Sequence, residues 1–279
     1  MSALAIQVRR INGWRLAGSL FALAILFGYV FPIFWMVTTS FKTSAETVTV
    51  HWWPSEWVID AYQSFFASEF VPALGNSLRI AAVTITLSML LGLMAAHGLS
   101  ASESRWITPM LTFVILVQLI PPSITFLPLF RVLAQINLLG THLGVSLAQT
   151  SIFLPFGILL IRPALQSLPR ELREAASVDG AGEWRYLFTI AVPLLRNTLV
   201  VIASILFVAS WGDVVFPETL LFTNADAPLS SYIARSVDRF STSQNALMAV
   251  STLVALPTFV VVLVAQRQLK DGLTLGSVK

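Results

Sequence analysis

Two places in this chain carry residues able to do chemistry. The first is Leu168 to Pro193, where Arg170, Glu171, Arg173, Glu174, Asp179, Glu183 and Arg185 stand between two apolar runs. Fixed spacing runs through it: Glu174-Ala175-Ala176, then Gly180, Ile190 and Pro193. Mixed charges beside small alanines suit a contact with another protein surface better than bond-making. The same stretch also fits an ordinary solvated helix between two spans. The second place is Asp213, beside Trp211, near the end of an apolar run. A charge within a membrane costs about 2.5–3.5 kcal/mol on insertion scales, so it faces a cavity, a partner or water.

Other chemistries lack their residues. There are no cysteines, which excludes disulfides, thiolate metal sites and thiol nucleophiles. His51, His97 and His142 are far apart and have no metal-ligand spacing, so no metal site is expected. No G-x-x-x-x-G-K-[ST] stretch exists, so the chain cannot hydrolyse ATP itself. Neither a Ser–His–Asp order nor a paired-carboxylate site is present.

The elements that must position these residues are membrane spans. Of the 279 residues 56% are hydrophobic and only 11% charged, against about 25% charged in soluble domains. The net charge of +3 is small, and no nucleic-acid partner is expected. A spanning helix needs about 20 apolar residues. The sequence predicts six: Leu16–Val37, Ile80–Gly98, Ile107–Phe130 interrupted by Pro121-Pro122, Leu138–Ile161, Asn197–Phe216 and Ala246–Ala265. The first run is long enough to span and shows no small-residue cleavage site, so no cleavable signal peptide is expected. The fold class is therefore all-α and polytopic. A lead (1–15) precedes the spanning domain (16–265), and a tail (266–279) follows it. Twelve of the seventeen basic residues fall on the side of the termini. The positive-inside rule then makes both termini and the charged loop cytoplasmic, in a cell (inner or plasma) membrane.

Local chemistry predicts the form of the loop. Pro169 suits a helix start, Glu171 complements the helix dipole, and Asp179-Gly180 signals a turn. A second short helix around Trp184, Leu187 and Phe188 then runs into Pro193. Ala175 and Ala176 leave a face that another surface can approach.

The remaining polar residues of the spans admit two readings each. Asp213 either lines a translocation path or reaches water or Arg235 at the interface. Trp211 either stacks on a ligand or belongs to an interfacial belt. Gln118 and Gln149 suit interhelical hydrogen bonds. Pro121, Pro122 and Pro128 either free carbonyls along a cavity or make a packed kink. His97, at the end of the second span, is expected to reach only the interface. His51, Trp52, Trp53 and Trp57 read as a loop lying along the membrane interface.

The E-A-A…G…I-x-x-P spacing of Glu174, Ala175, Ala176, Gly180, Ile190 and Pro193 resembles the EAA loop of ATP-binding-cassette (ABC) importer permeases. Further stretches resemble the maltose-type, MalG-like sugar permeases. They are Trp53-Pro54, Trp57 and Asn76-Ser77, Leu127-Pro128-Leu129, Leu154-Pro155-Phe156-Gly157, Leu168-Pro169-Arg170-Glu171-Leu172 and the tail from Gly272 to Lys279. The likeness covers roughly residues 10–279. It implies a permease subunit forming half the pathway for a sugar or related polyol. An extracytoplasmic binding protein would deliver the substrate.

Two ATPase subunits would power transport, with ATP and Mg bound by them and no cofactor on this chain. One EAA loop with six spans implies a second permease subunit, and the maltose-type likeness favours a heterodimer. The resemblance assigns ATPase coupling to Glu174, Ala175, Ala176, Asp179, Gly180, Ile190 and Pro193. It assigns a contact at the ATPase interface to Gly272, Leu273, Thr274 and Gly276. Trp211, Asp213 and Gln118 are the candidates for the pathway. Trp211-Gly212-Asp213 departs from the Trp-Asn-Glu of many relatives, and the loop after the fifth span is compact. Both departures bear on substrate and binding-protein contact. A secondary transporter or channel is the competing reading; it would need an ion or proton relay in the spans, and only Asp213 is available for one. A membrane-anchored scaffold would not need a coupling loop at all.

Overall fold

The computed structural model describes residues 13–66, 69–102, 104–223, 225–239 and 243–275, and every regular element among them is helical. Without water to serve backbone N–H and C=O groups, apolar runs satisfy them within helices. Four helices have the length and composition to cross a membrane: α1 (Gly13–Ser40), α3 (Phe70–Ala101), α6 (His142–Gln166) and α13 (Gln244–Leu275). Two broken pairs raise the number to six if each counts as one span. The short α2 (Asp60–Phe66) precedes α3.

The chain divides into two compact units, residues 1–63 with 240–252 and residues 64–239 with 253–279. In the first, α1 leaves its apolar side chains from Leu20 to Val30 exposed, as a lipid-facing helix does. Trp52 packs edge-on against Phe31 and Trp35, and Trp53 against Phe34. Lys42 is only 1% exposed. Its ammonium donates to His51 O and stands 4.5 Å from the Trp35 ring centroid.

In the second unit α3 begins ten residues before the expected Ile80, taking in Asn76 and Ser77. Those polar side chains serve another segment. Asn76 Nδ2 donates to Ala225 O at 3.0 Å and Ala227 O at 3.3 Å, and Ser77 Oγ accepts the Leu229 N–H at 2.7 Å. Helix α6 opens at Thr141, whose Oγ1 accepts the Gly144 N–H at 3.0 Å.

The expected third span is two helices, α4 (Ile107–Gln118) and α5 (Pro122–Gln135), with a 99° turn between Ile107–Gln118 and Ser123–Gln135. Pro122 forces Pro121 out of the helical region, to φ −58° and ψ 139°. A kink was expected there, and the chain turns a near right angle.

The charged loop forms α7 (Arg170–Val178), α8 (Glu183–Tyr186), a π-helical turn (Leu187–Ala191) and α9 (Val192–Leu194). Helix α10 (Arg196–Trp211) leaves it at 84°. The segment expected as a polar loop after the fifth span contains α11 (Val215–Leu220) and α12 (Leu229–Arg239). Helix α13 continues to Leu275, so most of the expected tail extends a helix.

Candidate functional site

Helix α7 presents the Glu174-Ala175-Ala176 triplet. Pro169, in an extended conformation, precedes its first residue. At the other end Ala181 N–H donates to Ala176 O at 2.8 Å and Gly180 N–H to Ser177 O at 3.1 Å. These are the paired bonds of a Schellman stop, which needs a left-handed residue between helix and exit. Gly180 supplies it with φ 74°. The turn signal at Asp179-Gly180 thus corresponds to a real stop.

The triplet divides between two surfaces. Glu174 and Ala175 are exposed, and Val178 on the same helix is 88% exposed. Ala176 is 5% exposed and packs in a core with Leu93, Ala96, Leu165, Tyr186 and Leu187. Both alanines were expected on an approachable face. One residue of helix is about 100° of rotation, and that turns Ala176 inward. Ile190 is half-buried against the same core. Pro193 lacks the N–H an α-helix would give to Thr189 O, and just before it Val192 donates five residues back to Leu187 O.

The loop is tied to α3 by a contact the sequence reading missed. His97 Nε2 donates to Glu183 Oε2 at 3.0 Å, and Arg173 Nη2 reaches the same oxygen at 2.8 Å. His97 is buried, with Tyr186 and Trp184 rings 6.1 and 6.4 Å from its own. It does more than reach an interface. The Arg173 hydrogen bond holds the Glu183 carboxyl below the usual carboxylate range, partial burial opposing it and His97 adding to it. A cavity of about 340 Å³ opens beside the triad, lined by Ser100, Ser102, Arg170 and Glu174 among others.

A second polar cluster lies among α3, α6 and α10. Gln149 is fully buried; its Oε1 accepts Thr84 Oγ1 at 3.0 Å and Ser210 Oγ at 2.7 Å. Its Nε2 donates to Asp213 Oδ2 at 2.9 Å. Asp213 sits past the end of α10 rather than inside the span, and its Oδ1 accepts the Val215 N–H at 3.0 Å to start α11. The alternative partner Arg235 bonds Glu218 instead, at 3.1 Å. Trp211 is buried, stacked on Phe207 at 5.2 Å, with its indole N–H given to Val254 O at 3.2 Å. It packs between helices and, with Asp213, lines a small opening beside Gln149 and Ser210. Gln118 Nε2 bonds Ile152 O at 3.1 Å, joining α4 to α6. Gly272, Leu273 and Thr274 lie in the last turns of α13, while Gly276 lies outside the described residues. No cluster of three or more His, Asp or Glu residues fit to hold a metal occurs among the described residues.

An all-helical membrane fold with a charged, core-mounted loop between α6 and α10 defines a class, the permease subunits of ABC importers. The chain belongs to the family described as the binding-protein-dependent transport system inner membrane component, which matches residues 88–274. It is similar to the lactose transport system permease protein LacG of Rhizobium radiobacter, with 32% identity over 251 residues, 90% of this chain and 91% of that one. It is also similar to the arabinooligosaccharides transport system permease protein AraQ of Halalkalibacterium halodurans, with 28% identity over 261 residues, 91% and 93% of the two chains. In fold it resembles a chain of a bacterial ABC transporter involved in the import of the acidic polysaccharide alginate. The TM-score is 0.78 at 18% identity, covering 91% of this chain and 95% of that chain. The protein is a multi-pass transport subunit of the inner or plasma membrane that works with a solute-binding protein. ATP hydrolysis belongs to a separate subunit.

Proposed function

We propose that this chain forms one half of the import pathway for a sugar or related polyol. It pairs with a second, different permease chain, and two ATPase subunits bind ATP and Mg. It crosses the membrane six times, through α1, α3, the α4–α5 pair, α6, α10 and α13, with both termini and residues 168–193 cytoplasmic. Twelve of seventeen basic residues on that side support the orientation. The likeness to permeases named for lactose and arabinooligosaccharides supports the substrate class.

The observation that carries the coupling role is the division of α7. Glu174 and Ala175 face outward while Ala176 anchors them in the core of the same unit. A force applied at the outer face would be delivered to α3, α6 and α10 rather than absorbed in a slack loop. In this reading Asp179, Gly180, Ile190 and Pro193 shape the mount, and Gly272 to Gly276 extend toward the ATPase interface. Asp213 is kept as a pathway candidate. Trp211 and Gln118 are kept as well; their polar groups, like the Asp213 carboxylate, bond other helices.

Affinity capture of this chain from its own membranes tests the proposal. The ATPase and a second permease chain should co-purify, and reconstituted vesicles with binding protein should take up a labelled sugar. Capture without any ATPase would overturn the reading.

A further inference from the structure

We propose that His97 is a positioning residue for transport: through Glu183 it transmits movement of the 168–193 loop to α3. The inference rests on that loop being the coupling element. One carboxylate oxygen, Glu183 Oε2, holds three separate elements together. Arg173 reaches it from α7 at 2.8 Å, His97 from α3 at 3.0 Å, and Glu183 itself opens α8. Gly182, the residue capping α8, has no side chain to hold the helix start, and the Glu183 bonds join that start to α3 and α7. The apolar core behind the loop holds it by packing but supplies no directional bond. A charged acceptor shared by two donors fixes both distance and angle.

The chemistry of the cluster sets the roles. Glu183 is held ionised by the Arg173 bond, so its carboxylate accepts and His97 Nε2–H donates. The groups around His97 are Arg173 and Glu183 in contact, Tyr186 and Trp184 against its ring, and Arg170 and Glu174 across the adjoining cavity. None of these besides Glu183 accepts a bond from His97. The buried imidazole is therefore the polar bridge from the span to the loop.

The test separates the donor from the ring. In the reconstituted complex, His97→Phe keeps an aromatic ring beside Tyr186 and Trp184 but removes the N–H. His97→Gln restores an N–H donor. The expected result is that His97→Phe still captures the ATPase but lowers sugar taken up per ATP hydrolysed by about fivefold, the scale of one hydrogen bond to a carboxylate that is 57% exposed. His97→Gln should recover most of that ratio. Glu183→Met, which keeps the length of the side chain but removes the acceptor, should show a similar loss, and adding His97→Phe to it should cost little more. Unchanged coupling in His97→Phe would overturn the proposal, as would equal defects in the Phe and Gln variants. If His97→Phe fails to assemble, the Glu183→Met and His97→Gln pair decides the matter by the same ratio. Ala175→Leu serves as the control. If the loop is not the coupling element, Ala175→Leu also captures ATPase and transports normally. If only the tether fails, Ala175→Leu stays defective while His97→Phe is normal.

Discussion

Gln149 Nε2 donates to Asp213 Oδ2 at 2.9 Å, so the carboxylate just past α10 is held by an amide buried on α6. The same amide oxygen accepts from Thr84 on α3 and Ser210 on α10. Three helices and the α10–α11 break therefore share one side chain. Asp213→Ala would leave a Gln149 N–H without its partner, at a cost of about 1–3 kcal/mol. The melting temperature of the purified complex should fall and uptake should fall with it. Asp213→Asn keeps an acceptor oxygen and should retain more of both. Equal stability and uptake in wild type and Asp213→Ala would remove the residue from the working network.

Neighbouring alanines should behave in opposite ways. Ala176→Leu forces methylenes into a filled core, which costs about 1–3 kcal/mol, and should lower thermal stability. Ala175→Leu adds bulk to an exposed face, so stability should hold while ATPase capture and coupled hydrolysis decline. Measuring melting temperature and capture on both variants checks the pair. A stability loss at Ala175, or none at Ala176, would contradict the division of α7.

At Gly180 the strain is in the backbone rather than in space. No atom lies within 4 Å of an added Cβ, yet φ is 74°. Gly180→Val should cost about 1 kcal/mol or more, loosen the end of α7 and weaken coupling without blocking membrane insertion. Gly180→Asn should be milder, because Asn tolerates the left-handed region. Hydrogen exchange at Ala181 reports the stop directly; equal protection in all three proteins would count against it.

Acid should loosen the loop through Glu183. Its folded carboxyl titrates below the ordinary 4.5, so its stabilising contribution is complete above that value and is lost as pH falls through the lowered one. Exchange of α7 and α8 amides, corrected for intrinsic rates, should rise in that acid window. Glu183→Gln should flatten the dependence.

Topology is open to a clean labelling test because the chain has no cysteine. Cysteines introduced at Ser177 and Ser230 should react with an impermeant thiol reagent from opposite sides of the membrane. Same-side labelling would refute the proposed six-span arrangement.

How much could be read from the sequence depended on range. The Asp179-Gly180 stop is local chemistry, and so are the break at Pro121-Pro122 and the apolar lengths of α1, α3, α6 and α13. The size of the Pro121-Pro122 turn was not legible, since a proline says that a helix ends without saying where the next one points. Asn76 and Ser77 read as loop residues because their acceptor and donor lie about 150 residues away. His97 read as an isolated interfacial residue for a similar reason, with Glu183 86 positions on. Ala175 and Ala176 are indistinguishable by type, and only packing assigns them to different faces. The interhelical bonds expected of Gln118 and Gln149 are present, although no pattern in the chain names their partners.

The π turn at Leu187–Ala191 sets an angle by counting residues. It fits one more residue between Tyr186 and Pro193 than an α-helix of the same rise would. Removing a single residue there lets the widened turn revert to an ordinary α turn with its flanks nearly in register, whereas removing one from α9, which has no residue to spare, would swing everything before it by about 100° about the axis relative to α10. Trp184 and the outward face of α7 would then point elsewhere, with every contact residue still present. The π turn is therefore the one place between Tyr186 and α10 where the chain holds a residue in reserve, and a loss of length on either side of it would re-aim the contact face.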